Sequence, residues 1–405
     1  MKKIFEIALG IVTSVGGFLE IGSITTAAQG GAEFSFQLLW AIVLGGVCII
    51  FLVEQSGRLA AVSGRTLPDA IRERFGANYF LFLYLILGLV TLLVLGAEIG
   101  GVCVALELAT GLSFQWWAAP VAFLIWLMIW KGTFGIIEKG VSLLGLVTLC
   151  FVVGAWVMHP PWHQVIAGVA PSLPQHDAAR YWFIAVSILG ASISPYLYFF
   201  YSSGAIEDEW DESYVGVNRV IATGGMSFGT LISIAVLILA ALILLPNGIK
   251  VEHYAQLPLL LVPVFGRWGF WLLVASVGIA CFGAAMEITL EIAYMTAQGF
   301  GWNWSENQRP IEEARFSSVY TIIIILAVML VLSGIDPLKL TIFSMALTAA
   351  TLPVSIVPFL FLMNDSHYLR GYRNGWFSNG VVLVIIGLAF LLAIVTIPLE
   401  IFGGS

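Results

Sequence analysis

Charge is what this chain has least of. Of its 405 residues only 10% are Asp, Glu, Lys or Arg, against about 25% in soluble domains. That shortage excludes a water-soluble globular domain. Runs of basic residues are also missing, and the formal net charge is −7. Nucleic acid is therefore not an expected partner, and nothing marks a protein partner. Much of the acid excess lies in one segment, Glu207-Asp208-Glu209-Trp210-Asp211-Glu212. Cysteine is scarce too. Cys48, Cys103, Cys150 and Cys281 stand far apart inside apolar runs, with neither disulfide nor zinc spacing. The five histidines, His159, His163, His176, His253 and His367, fall between the apolar runs. There is no HExxH, no Ser-His pairing and no paired-Asp motif. Neither an enzyme nor a resident cofactor is expected. No selectivity-filter repeat suggests a channel.

Long apolar runs are what the chain has instead. Hydrophobic residues make up 60% of it. A helix needs about 20 apolar residues to cross the hydrocarbon. Eleven segments qualify, near 7–30, 37–55, 78–109, 114–130, 133–158, 181–203, 216–245, 268–299, 316–334, 339–363 and 380–402. The runs are continuous rather than alternating, which argues for helices over a barrel. The expected fold is all-α integral membrane, one transmembrane domain over 1–405, with the lipid bilayer as solvent. Met1-Lys2-Lys3 precedes a first segment too long for a signal peptide, so that segment is expected to be retained. Lys and Arg are biased to one set of loops, which predicts a cytoplasmic N-terminus; a bacterial inner membrane is the expected location.

Two segments are interrupted. The first carries "GFLEIGS" (17–23), with a carboxylate at Glu20, Gly22 and the polar Ser23. The sixth carries "ASISPYLYFFYSS" (191–203), where Pro195 removes a backbone donor. Each is followed by four further segments. This is the pattern of a five-plus-five inverted repeat with broken helices one and six, here about 7–158 and 181–363, with 380–402 left over. Unwound backbone in a membrane is tolerated only where it lines a cavity or site. A carboxylate, free carbonyls and hydroxyls make an all-oxygen set, which suits a hard cation. The plainer reading makes Glu20 a structural acid paired to a base. No Lys or Arg lies inside the neighbouring segments to serve, and intramembrane acids are functional by default.

The chain also resembles the natural resistance-associated macrophage protein (Nramp) family of divalent metal transporters. The matching blocks are 20–40, "SGRLAAVSGRTLPDAIRERFG" (56–76, the loop after the second helix), 96–112, 136–150, 168–174, 190–203 and "MNDSHYLRGYRNGWFSN" (363–379). The resemblance implies the eleven-helix, LeuT-like broken-helix scaffold and a divalent metal ion as substrate. It also implies a ligand set. The family's first-helix Asp and Asn fall on Glu20 and Ser23, its sixth-helix Met falls on Ser194, and its two backbone carbonyls fall on Gly17 and Ala191. That set holds no sulfur or nitrogen, so Mg²⁺ or Mn²⁺ fits it better than a soft ion. The chain looks like the Nramp-related magnesium transporters, an offshoot that lacks both the Met and the proton route, or like a parallel offshoot.

Proton coupling is expected to be weak. The family's third-helix Asp and sixth-helix histidines fall on Leu95, Tyr196 and Tyr201. Glu98 is retained. Glu287 and Glu291 lie four residues apart, on one helix face. They are read either as a second cation station or proton route together with Glu98, or as acids hydrogen-bonded to a neighbouring helix. A proton-coupled Mn²⁺/Fe²⁺ symporter is the first alternative. An amino-acid or amine transporter of the same general fold is the second.

Overall fold

The computed structural model of the protein describes residues 20–131, 143, 145–174 and 176–403, with only the backbone of 397 and 399–403. It is built of helices, and no strand occurs among the described residues. Those of nine residues or more run in chain order as α1 (Ile21–Phe34), α2 (Leu39–Ser63), α3 (Leu67–Phe75), α4 (Ala77–Thr110), α5 (Phe114–Trp130) and α6 (Leu149–Val157). There follow α7 (Ala178–Ser192), α8 (Pro195–Glu207), α9 (Val215–Ile243) and α10 (Arg267–Phe300). The last are α11 (Ala314–Leu332), α12 (Pro337–Leu362) and α13 (Trp376–Gly403). Every one of the eleven expected apolar segments carries a helix. Segments one and five are described only in part, from residue 20 and from residue 145. Among the described residues, eight helices or helix pairs are long and apolar enough to cross a membrane. A chain in hydrocarbon must satisfy its backbone internally, and continuous helices do so.

One boundary differs from expectation in a way that matters. The second segment was expected to end near residue 55, with Arg58 in the loop beyond. Instead α2 runs to Ser63 and closes on Gly64, whose φ of 64° is the left-handed cap that glycine adopts freely. The apolar stripe of Leu59, Ala60 and Val62 continues into the core and carries the helix on. Arg58 is thereby buried inside α2. Its Nε lies 3.1 Å from Glu54 Oε1 one turn away. Its other nitrogens donate to Tyr372 O at 2.6 Å and Asn374 Oδ1 at 2.8 Å. Amphipathic α3 fills most of the remaining expected loop. Thr66 caps its start by accepting from Asp69 N at 3.3 Å.

Close approaches without side chains fix two pairs of helices. A Cβ on Gly31 would lie 2.2 Å from Leu237 O, so α1 packs directly on the main chain of α9. A Cβ on Gly190 would lie 2.1 Å from Met345 O, so α7 packs in the same way on α12. Small residues at helix contacts are how membrane helices approach closely.

Candidate functional site

The helix starting at Ile21 begins beside Glu20, which is extended (φ −103°, ψ 164°) and offers no side-chain cap. The cap comes from another helix. Glu98 of α4 accepts the Ile21 N–H at 3.0 Å through Oε1. The first N–H groups of a helix lack intrahelical partners and carry its positive end, so a carboxylate there is well placed. Ser23 donates its hydroxyl to Glu20 O at 2.9 Å. Gly17, the expected carbonyl donor, lies outside the described residues.

The second break falls where Pro195 required it. α7 ends at Ser192, Ile193 turns away (φ −110°, ψ 40°), and Ser194 is extended (φ −62°, ψ 123°) before α8 restarts with Pro195 in its first turn. Proline suits a first helical position because its missing donor would have been unpaired anyway. The C-terminal end of α7 turns its last carbonyls toward this gap. Ser194 Oγ lies 3.3 Å from Ala191 O and 3.4 Å from Gly190 O.

The start of α1 meets the break between α7 and α8. Ser194 Oγ donates to Glu20 Oε1 at 3.1 Å across 174 residues of sequence. Tyr196 also hydrogen-bonds Glu20 and lies within electrostatic range of Glu98 and Glu287. Glu20, Ser23, Ser194, Ala191 and Glu98 are all buried. Two carboxylate oxygens at this point, Glu20 Oε2 and Glu98 Oε2, have no hydrogen-bond partner. Among the described residues no Lys or Arg forms an ion pair with either acid. An uncompensated buried carboxylate costs on the order of several kcal/mol. A cation between the breaks would offset that cost.

The donor chemistry limits which cation. No group of three His, Cys, Asp or Glu able to hold a metal occurs among the described residues. Any ion here would be held by one or two carboxylates, hydroxyls, carbonyls and retained water, which is the habit of hard divalent ions. Sulfur lies nearer than the sequence indicated, however. Cys281 of α10 hydrogen-bonds Glu98. Met345 Sδ packs against Gly22, 2.6 Å from where a Cβ would stand.

Glu287 and Glu291 are both buried on α10. They occupy different surroundings. Glu287, like Glu20 and Glu98, lies within electrostatic range of Tyr196. Glu291 lies a turn further on, within electrostatic range of Tyr198. Sequence reasoning had treated Tyr196 only as the place of a missing histidine. Its nearness to Glu20 was readable, since it follows the break by one residue. Cys281 and Met345 were not, because nothing local tells which helices pack on α1 and α4.

The family model described as natural resistance-associated macrophage protein-like matches residues 10–398. Relatives include the divalent metal cation transporter MntH of Caldanaerobacter subterraneus subsp. tengcongensis, 24% identical over 369 residues, with 88% of this chain and 84% of the relative covered. That of Listeria innocua is 24% identical over 389 residues, covering 93% and 86%. Among solved structures, the Eremococcus coleocola manganese transporter in complex with an aromatic bis-isothiourea substituted compound superposes with TM-score 0.77 at 20% identity, over 96% of this chain and 85% of that one. MhsT in complex with L-phenylalanine superposes with TM-score 0.63 at 15% identity, over 96% and 98%.

Proposed function

The chain belongs to the natural resistance-associated macrophage protein family, and from that premise we propose that it carries divalent metal cations across a membrane, favouring the hard ions Mg²⁺ and Mn²⁺. The observation that carries this reading is the 3.1 Å contact between Ser194 and Glu20, beside a carboxylate oxygen left without a partner. It joins the two broken helices through oxygen atoms alone. Glu20 supplies the charge, Ser194 and Ser23 supply hydroxyls, and Ala191 with Gly17 supplies carbonyls. A substrate ion enters by exchanging part of its water shell for these oxygens. The family match favours a metal over an amino acid, although a protein solved with L-phenylalanine shares the fold.

Coupling to protons is proposed to be weak. The descent from Glu20 holds no histidine, and Leu95 is apolar. One observation supports the coupled alternative. Glu98 is fully buried and bonded to the start of α1, so it is in place to respond when α1 moves. The test is uptake of Mg²⁺, Mn²⁺ and Ca²⁺ into liposomes holding the purified chain, with and without a pH gradient. Saturable entry of Mg²⁺ and Mn²⁺, indifferent to the gradient, is the expected result. Entry only of softer ions, or only with a gradient, overturns the respective half of the proposal.

A further inference from the structure

We propose that a groove between α7 and α13 binds an acyl chain of a membrane phospholipid, which braces α7. The groove has a volume of about 520 Å³. It is lined by Trp40 of α2, by residues from Trp182 to Leu189 on α7 and by residues from Leu388 to Pro398 on α13. Every described side chain on its wall is aliphatic or aromatic. Trp40 has its indole N–H satisfied, since it donates to Tyr181 Oη at 3.0 Å. Such a wall offers water nothing to bond, and water occupies cavities only where polar partners hold it.

The groove is continuous with the surface that the molecule turns to the bilayer. Leu391 and Ile394 on its rim are 56% and 70% exposed, and both flanking helices belong to segments long and apolar enough to cross a membrane. Its two ends differ. Trp40 and Trp182 meet edge to face at 6.2 Å, and tryptophan collects where hydrocarbon gives way to headgroups. α13 enters from the other side, with Phe377 at its start against Phe51, farther along α2 than Trp40. Pro398 therefore lies toward the tryptophan end and Leu388 toward the bilayer centre. From Leu388 to Pro398 a helix rises about 15 Å, half of the roughly 30 Å hydrocarbon core. The groove is thus about as long as one leaflet is deep.

Width decides between a lipid chain and a second copy of the protein. Spread over that length, the volume gives a cross-section of about 35 Å², whereas a helix with its side chains is about 10–12 Å across and needs at least twice that. A second copy would touch only the rim, while an extended hydrocarbon chain fits along the floor. Lipid tails are as apolar as leucine, so the gain is packing rather than escape from water. A chain in the groove touches protein on both sides, and dispersion contacts add up with each atom in reach. The floor leads to the helix break. Leu189 lines the groove, and its neighbour Gly190 rests on the main chain of α12. Gly190 O lies 3.4 Å from Ser194 Oγ. The bound chain thus steadies the helix end that carries Ser194.

The experiment places the purified full-length chain in liposomes of phosphatidylglycerol and phosphatidylcholine, with a trace of phosphatidylcholine that carries a photoactivatable diazirine in one acyl chain. Labelled residues are mapped by mass spectrometry. Labelling of wild-type protein is expected to concentrate on the groove, about tenfold above the exposed face of α11. Leu391→Trp fills the groove from its exposed rim and is expected to cut that labelling about tenfold, with α11 unchanged. The wild-type map needs no variant to fold. Even labelling of α11 and the groove makes the groove ordinary lipid-facing surface and overturns the proposal. Protein–protein cross-links from groove residues to a second copy overturn it as well, and so does undiminished labelling in Leu391→Trp. Metal uptake is not the readout, so failure here leaves the transport reading standing.

Discussion

Buried carboxylates occur in this molecule in two settings. Within α2, Glu54 faces Arg58 at 3.1 Å, and Arg58 is held in turn by Tyr372 O and Asn374. At the helix breaks, Glu20 and Glu98 meet only neutral donors and each keeps an unpartnered oxygen. The chain can evidently supply a base to an intramembrane acid. Where it does not, the cation proposed as substrate would supply the missing positive charge. A buried pair is neutral in itself and locks two elements together.

The contrast breaks most visibly at Glu20. Glu20→Gln is expected to abolish saturable Mn²⁺ uptake in liposomes, a loss of about 100-fold or more if the carboxylate is the principal ligand charge. Insertion and elution as a single species should be unchanged. Near-normal uptake would make Glu20 structural after all.

Arg58→Ala tests the other setting. It strands Glu54 without its partner and is expected to lower stability by about 3 kcal/mol, read as thermal unfolding in detergent. The ion selectivity of the protein that remains folded should match wild type. A variant as stable as wild type would show that Glu54 needs no base.

A smaller effect sharpens the chemistry around Glu20. Ser194→Met puts a thioether beside Glu20 and is expected to raise Cd²⁺ affinity about tenfold in competition with Mn²⁺. Wild-type protein should bind Cd²⁺ no better than Mn²⁺. Tight wild-type Cd²⁺ binding that disappears in Cys281→Ser would instead assign a soft ligand to the sulfur beside Glu98.

The smallest expected signal is proton movement. A pH-sensitive dye inside liposomes should report little acidification during Mn²⁺ entry. Acidification as fast as metal entry, lost in Glu98→Gln, would make Glu98 a proton carrier and refute the uncoupled proposal.

Much of this was legible in the residues. Continuous apolar runs located the helices, and Pro195 located the second break to within two residues, because proline acts on its own turn. Glu20 stood out as a lone charge in an apolar segment. What could not be read was partnership across the fold. Arg58 looked like a loop residue because charge is a poor guide to a helix end when the apolar stripe continues past it. The bond from Ile21 to Glu98 spans 77 residues, and no local pattern encodes it. Cys281 and Met345 came near the site through the packing of α10 and α12, which is likewise non-local.

The contact of Gly190 with the main chain of α12 has a consequence for the lipid. Side chains yield when helices tilt, but two backbones in contact do not. A change in the tilt of α12 is therefore passed with little loss to α7 and on to Ser194, four residues away. Tilt is how membrane helices adapt to hydrocarbon thickness. The distance between Ser194 and Glu20 thus becomes a function of the bilayer. Metal uptake should pass through an optimum across liposomes of graded acyl-chain length, and a flat profile would show that the strain is absorbed before it reaches the break.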